Sequence, residues 1–182
     1  MIKIMLFMLG TAFFLRISWR ALGHPDTHGF YRFFVFEGIL LLLLLNQPYW
    51  FSEPFAPLHL VAWLLLLISV LFISQALLML KKRGGHAERE MMPANHSFEN
   101  TVHVVDTGLY RFIRHPMYSS LLFLAWGAFL KQITPLTIGL IVVVSVLLII
   151  AAKVEERENI RFFGTAYADY MQRTRLFIPW LF

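Results

Sequence analysis

Two stretches free of charged side chains, residues 58–80 and 133–152, decide the class of fold. Each reaches the roughly 20 residues that a helix needs to cross ~30 Å of hydrocarbon. Three shorter apolar runs accompany them, at residues 2–15, 30–45 and 117–130. Irregular backbone finds no hydrogen-bond partners in lipid, so these runs are expected to be helices. The shorter ones need flanking residues or local thinning of the bilayer to span it. Composition agrees: 58% of the residues are hydrophobic and 15% are charged, where soluble domains carry about a quarter charged. The expectation is an all-α integral membrane protein with about five transmembrane helices, built as a single membrane domain over residues 1–182.

The basic residues give this bundle a direction. The net charge is +5, but the charge sits in the segments between apolar runs, where it orients a membrane protein rather than binding nucleic acid. Arg16, Arg20 and Arg32 follow the start of the first run. Lys81, Lys82, Arg83 and Arg89, then Arg111 and Arg114, follow the third, and Lys153, Arg157, Arg161, Arg173 and Arg175 follow the fifth. The opposite connections carry Glu53 and Lys131. The positive-inside rule places the first three groups in the cytoplasm, with the N-terminus outside and the C-terminus inside. The run at 2–15 has the length of a signal-peptide core, but Arg16, Ser18, Trp19 and Arg20 follow it without a small-x-small site, so it is read as retained.

The chain divides into residues 1–80, with three membrane segments, and residues 81–182, with a helical hairpin at 117–152 and a cytoplasmic tail. The link Leu130-Lys131-Gln132 is very short, and Pro135 suits the first turn of the helix after it. The tail is expected to be helical from Lys153 to Phe163 and to stop at Gly164, a residue suited to a helix C-terminus. Its end, from Leu176 to Phe182, is apolar enough to rejoin the interface, where Trp180 would be favoured. There is no cysteine, which excludes disulfides, thiolate metal sites and cysteine nucleophiles.

Chemistry concentrates at Gly108-Leu109-Tyr110-Arg111-Phe112-Ile113-Arg114-His115-Pro116-Met117-Tyr118. Pro116 can start a helix, whose free N–H groups and dipole attract an anion. Arg114 adds a planar fork suited to a carboxylate, and Gly108 permits positive φ or close backbone approach. The hairpin should bring this segment beside Glu155 and Glu156, at the end of the fifth run. A ligand with both a carboxylate and cationic or hydroxyl groups suits such a pairing.

With the hairpin, the Glu pair and Phe163-Gly164-x-x-Tyr167-x-x-Tyr170, this pattern resembles the isoprenylcysteine carboxyl methyltransferase family, within a group that includes phospholipid methyltransferases and small bacterial relatives. The resemblance covers roughly residues 95–180. It implies an S-adenosyl-L-methionine pocket on the cytoplasmic side, with contacts at His103, Val104, Val105, Gly108, Tyr110, His115, Pro116, Met117, Tyr118 and Glu155. It implies no firm catalytic group. Methyl transfer is an in-line displacement that asks for positioning and water exclusion, with Arg114, Glu156 and Lys153 as candidates for that role. It also implies a lipidic or small apolar acceptor: an isoprenylated cysteine, a phospholipid amine, or another acid or thiol. Two positions depart from the family. Val102 stands where a histidine is usual, one residue before His103, and Ala151 stands where an arginine holds the substrate carboxylate. Lys153, Arg173 and Arg175 are the nearest replacements.

Other readings compete. Sterol-reductase-type enzymes share the Arg-His-Pro-x-Tyr element but bind NADPH, and a non-catalytic relative could keep the fold. Tyr167 and Tyr170 would serve equally as interfacial anchors, and Arg173 and Arg175 as lipid headgroup contacts. Glu37 is an acid inside a membrane run, placed to pair with Arg32 or Arg16. His24 and His28 have metal-compatible spacing on a helix, but Pro25 and Gly29 argue for a loop, and no metal is expected.

Overall fold

A computed structural model describes residues 1–85 and 100–179. Arg89, Trp180, Leu181 and Phe182 lie outside the described residues. The described chain is helical: α1 (Ile2–Leu22), α2 (His28–Asn46), α3 (Pro57–Arg83), α4 (Pro116–Phe129), α5 (Pro135–Phe163) and α6 (Thr165–Arg173). Four of these, α1, α2, α3 and α5, are long and apolar enough to cross a membrane. The fourth apolar run is a helix of only 14 residues, about 21 Å long at 1.5 Å per residue. Five membrane segments were expected, so the structure gives four full-length spans and one short helix packed among them.

The helices run alternately up and down. Thr11 of α1 donates to Glu37 of α2, His28 of α2 meets Glu158 of α5, and Phe72 of α3 packs on Phe123 of α4. α4 sits in the middle, against α2, α3 and α5. The core follows from this order: Val35, Ile39 and Leu42 of α2 pack with Ala125, Ala128 and Phe129 of α4 and with Ile141, Val144 and Leu148 of α5. Leu60, Leu64, Leu67 and Leu71 of α3 remain exposed, as do Ile2, Met5, Leu9 and Phe13 of α1. An exposed apolar surface on this scale marks lipid contact.

Small residues set the helix distances, as expected where hydrophobic exclusion from water cannot drive association. At Gly127 an added Cβ would lie 2.8 Å from Leu66 Cγ and 3.1 Å from the Ala62 carbonyl oxygen. The opposite end of α4 is closed by polar groups. Asn46 donates to the carbonyls of Ala128, Phe129 and Gln132, and Thr134 and Thr137 cap the start of α5 reciprocally. Lys131, buried between them, lies over the Trp63 ring at 3.5 Å.

Three elements differ from the sequence expectation. α1 continues past residue 15 to Leu22, so Arg16 and Arg20 are helical. The expected tail helix at 153–163 is continuous with the span, giving one 29-residue α5; no breaker separates Ala152 from Phe163. His28 and Gly29 form the first turn of α2 rather than a loop. A carboxylate makes this possible: Glu158 accepts from the His28 backbone N–H at 3.0 Å and pairs with its Nδ1 at 2.5 Å. Pro25 stays outside the helix. Gly164 does stop α5, with φ of +62°.

Replacing Gly127 by Leu should force α3 from α4 and cost about 1–3 kcal/mol, read as a lowered melting temperature in detergent. Gly139→Leu should not, because nothing lies within 4 Å of that position. Equal melting of the two variants would refute the packing assignment.

Candidate active site

The motif before α4 is held from three sides. Gly108 begins a 3-10 turn, Gly108–Arg111, with φ of +62° beside Met79 of α3. The chain after α6 then pairs with the motif in parallel. Arg175 N–H donates to the Phe112 carbonyl at 2.9 Å, and Arg114 N–H donates back to Arg175 at 2.7 Å. His115 N–H donates to Leu176 at 3.2 Å. Ser119 Oγ holds the Phe177 carbonyl at 2.7 Å. The apolar tail therefore inserts Leu176 and Phe177 into the core, beneath α4.

The hairpin brings Arg114-His115 to Glu155-Glu156, as expected. Arg114 Nε donates to Glu156 at 2.5 Å, and its Nη1 donates to the carbonyls of Met171 and Thr174. Lys153 reaches the other Glu156 oxygen at 2.9 Å from an exposed position. His115 is buried between the two acids, 3.8 Å from an oxygen of each. Its ring stacks on Tyr118. Its Nε2 is buried and makes no hydrogen bond among the described residues.

These groups open onto a cavity of about 440 Å³, a volume typical of small-molecule sites. Arg114, His115, Glu155 and Asn159 supply its polar wall, and Val104, Val105, Met117 and Leu121 an apolar one. Tyr110, Tyr118, Tyr167 and Tyr170 also line it. Tyr170 donates to the Tyr110 carbonyl at 2.6 Å, locking α6 to the 3-10 turn. Burial pushes the Tyr167 and Tyr170 phenols well above their ordinary pKa, so both stay neutral donors.

The remaining sequence candidates lie elsewhere. His103 is exposed, and His103, Gly108 and Pro116 are outside the cavity lining. The nearby lining residue is Thr101, buried one position before Val102. Lys153 points to Glu156, Arg173 lies 3.9 Å from Asp106 in solvent, and Arg175 is exposed; none of the three lines the cavity. Glu37 accepts from Thr11 at 2.8 Å, and no ion pair to it is seen among the described residues. Asn159 and Arg32 are among the lining residues that the sequence did not place at the site. Asn159 sits one helical turn beyond Glu155, a spacing that could have flagged it. Arg32, counted above as an orienting charge, is a buried part of the wall.

Removing Glu156 would leave Arg114 buried without its counter-charge. Glu156→Ala should destabilise the protein by about 3–5 kcal/mol. Adding Arg114→Ala should recover part of that loss, and additive losses in thermal melts would disprove the coupling.

A sequence profile described as phospholipid methyltransferase matches residues 58–166, more than half of the chain. Among curated proteins, the methanethiol S-methyltransferase of Pseudomonas deceptionensis is 28% identical over 121 residues, covering 64% of this chain and 42% of that protein. Methanethiol S-methyltransferase 1 of Bradyrhizobium diazoefficiens is 35% identical over 72 residues, covering 40% of this chain and 25% of the relative. The chain spans less than half the length of either relative. The profile covers α3, α4 and α5, and with them Arg114, His115, Glu155 and Glu156, so the chain belongs to the phospholipid methyltransferase family and stands among methyltransferases embedded in a membrane.

Proposed function

We propose that this chain is an S-adenosyl-L-methionine-dependent methyltransferase that modifies a small apolar thiol, from a cavity on the cytoplasmic side of the membrane. The observation that carries the reading is the cavity wall, where buried His115, 3.8 Å from an oxygen of Glu155 and of Glu156, stands with Asn159 in a pocket largely lined by apolar groups such as Val104, Val105 and Met117. A few convergent polar groups in a largely apolar pocket mark a small-molecule site. The cavity chemistry fits the donor molecule: Glu155, His115 and Asn159 face its polar amino-acid and ribose portions, and Val104, Val105 and Met117 suit its base. When bound, the donor supplies an electrophilic methyl group on a sulfonium. The protein contributes position and dryness. Glu155 offers negative charge toward the cationic end, while Arg114 and Glu156, spent on each other, hold the loop that carries His115. Neutral Tyr167 and Tyr170 close the polar side, with Tyr170 fixed by its bond to the Tyr110 carbonyl. No general base is needed for an acceptor that arrives as a thiolate.

The thiol acceptor is supported by the two relatives, both named for methanethiol. The family match favours methyl transfer over the NADPH-dependent alternative. The basic ends of α3 and α5, on the cavity side, favour a cytoplasmic face.

Calorimetric titration of the detergent-purified protein should detect S-adenosylhomocysteine and not NADPH. His115→Ala and Glu155→Ala should each weaken binding by about tenfold or more, equivalent to ~1.4 kcal/mol. NADPH binding alone would make the protein a reductase; binding of neither would point to a non-catalytic relative.

A further inference from the structure

The far end of α4 carries a second cluster, which the candidate active site leaves unused. Lys131 is separated from His115 by the 14 residues of α4, about 21 Å of helix. It is 1% exposed, and its Nζ is buried with no hydrogen-bond partner among the described residues. The centre of the Trp63 ring lies 3.5 Å from Nζ. That ring attracts the charge but offers no lone pair, and an ammonium has three N–H donors to place. Burial lowers the Lys131 pKa, and no carboxylate among the described residues offsets it. Glu53 is the only acid in the two connections at this end, residues 47–56 and 130–134, and it is exposed.

A second donor stands at the same ring. Trp50 packs at 80° to Trp63 with ring centres 5.9 Å apart, and its Nε1 is likewise buried without a hydrogen-bond partner among the described residues. The connection that carries Trp50 is tied to the turn that carries Lys131. His59 Nδ1 meets the Ser52 carbonyl at 2.8 Å, and its Nε2 meets the Lys131 carbonyl at 3.1 Å. Both imidazole nitrogens face carbonyls, so His59 serves neither donor as an acceptor. Two buried donors, one of them charged, thus meet at one ring without an acceptor among the described residues, an arrangement that folded proteins rarely leave unfilled.

The surface around them is apolar. Tyr49, Phe51, Phe55 and Leu58 are exposed, and Phe51 packs against Trp63 at 5.9 Å. Leu60, Leu64 and Leu67 continue this surface along one face of α3. Trp, Tyr and Lys collect where hydrocarbon meets headgroups. The anion concentrated at that level is the phosphate of phospholipids, whose acyl chains fit beside such a face. Inorganic phosphate gains nothing from Phe51 or Phe55.

We propose that Lys131 and Trp50 bind the phosphate of a phospholipid, at the end of the bundle opposite the candidate active site. Lys131 supplies a point charge and Trp50 one N–H. Trp50 is only half-buried, and the lysine stem is flexible, so a change of rotamer brings the ammonium to the headgroup. The bound phosphate ties the α2–α3 connection to the α4–α5 turn and so fixes the depth of short α4 in the bilayer.

The test follows thermal melting of the detergent-purified full chain against added dioleoylphosphatidylglycerol, dioleoylglycerol or sodium phosphate. The phospholipid should stabilise wild type in a saturable way, and dioleoylglycerol should not. Lys131→Met should weaken the apparent affinity for the phospholipid by about tenfold, the loss of one charged hydrogen bond. Trp50→Phe, which keeps a ring in place, should weaken it by about threefold. The arginines at the other end meet anionic lipid in every variant, so the difference between variants is the reading. If Lys131→Met does not fold, Trp50→Phe decides alone. Wild-type affinity in the variants, or stabilisation by dioleoylglycerol as strong as by the phospholipid, overturns the assignment. Saturation by sodium phosphate at the same concentration makes this a site for free anions and overturns the lipid assignment too.

Discussion

A carboxylate taken out of water must be met by charge and hydrogen bonds at once, and much of the site is arranged around that requirement at Glu156. This side chain is 3% exposed and lies on α5, which runs from one end of the bundle into the site. Arg114 and Lys153 satisfy its two oxygens. Arg114 in turn binds the carbonyls of Met171 and Thr174, so one guanidinium ties α5, the motif before α4 and the segment after α6. The parallel pairing of residues 112–115 with 175–176 extends the same tie through the backbone. His115 is left in a fixed place beside Glu155 as a result.

The site draws on two halves of different character. α4, α5 and α6, with the 3-10 turn, give a rigid polar wall whose groups are mutually bonded. α1 and α2 give a more apolar wall, in which Arg32 is the charged exception. α1 packs chiefly on α2, and its lipid-facing surface is almost wholly apolar. The family match covers α4, α5 and the 3-10 turn of the first wall, stops at the start of α6, and leaves α1 and α2 unmatched. A division of this kind lets one end of a cavity stay constant while the other is altered to suit different acceptors.

Much of the polar wall was legible in the sequence, because it is local. Arg114, His115 and Pro116 are adjacent, Glu155 and Glu156 are adjacent, and a short hairpin leaves little freedom in how they meet. Gly164 and Pro135 announced helix ends by their own backbone chemistry. Arg32 was hidden because a basic residue near a helix end reads as topology, and its burial depends on α2 meeting α5 across more than a hundred residues. The first turn of α2 was missed for the same reason: the carboxylate that caps it belongs to Glu158. Tyr167 and Tyr170 read equally as surface anchors, and only the fold of α6 onto the 3-10 turn buries them.

α4 has 14 residues, about 21 Å against ~30 Å of hydrocarbon. The carbonyls capped by Asn46 and the imidazole of His115 cannot both lie at the water boundaries. One of the two polar ends is therefore sunk within the apolar layer, and non-helical backbone is tolerated there because protein covers it. If the sunk end is that of His115, an apolar acceptor meets the site from solution in lipid, and its concentration there is set by its partition coefficient. Each methylene favours lipid by about 0.8 kcal/mol, roughly a fourfold enrichment. Along a homologous series, an apparent KM counted per litre of water would fall even with identical contacts in the cavity.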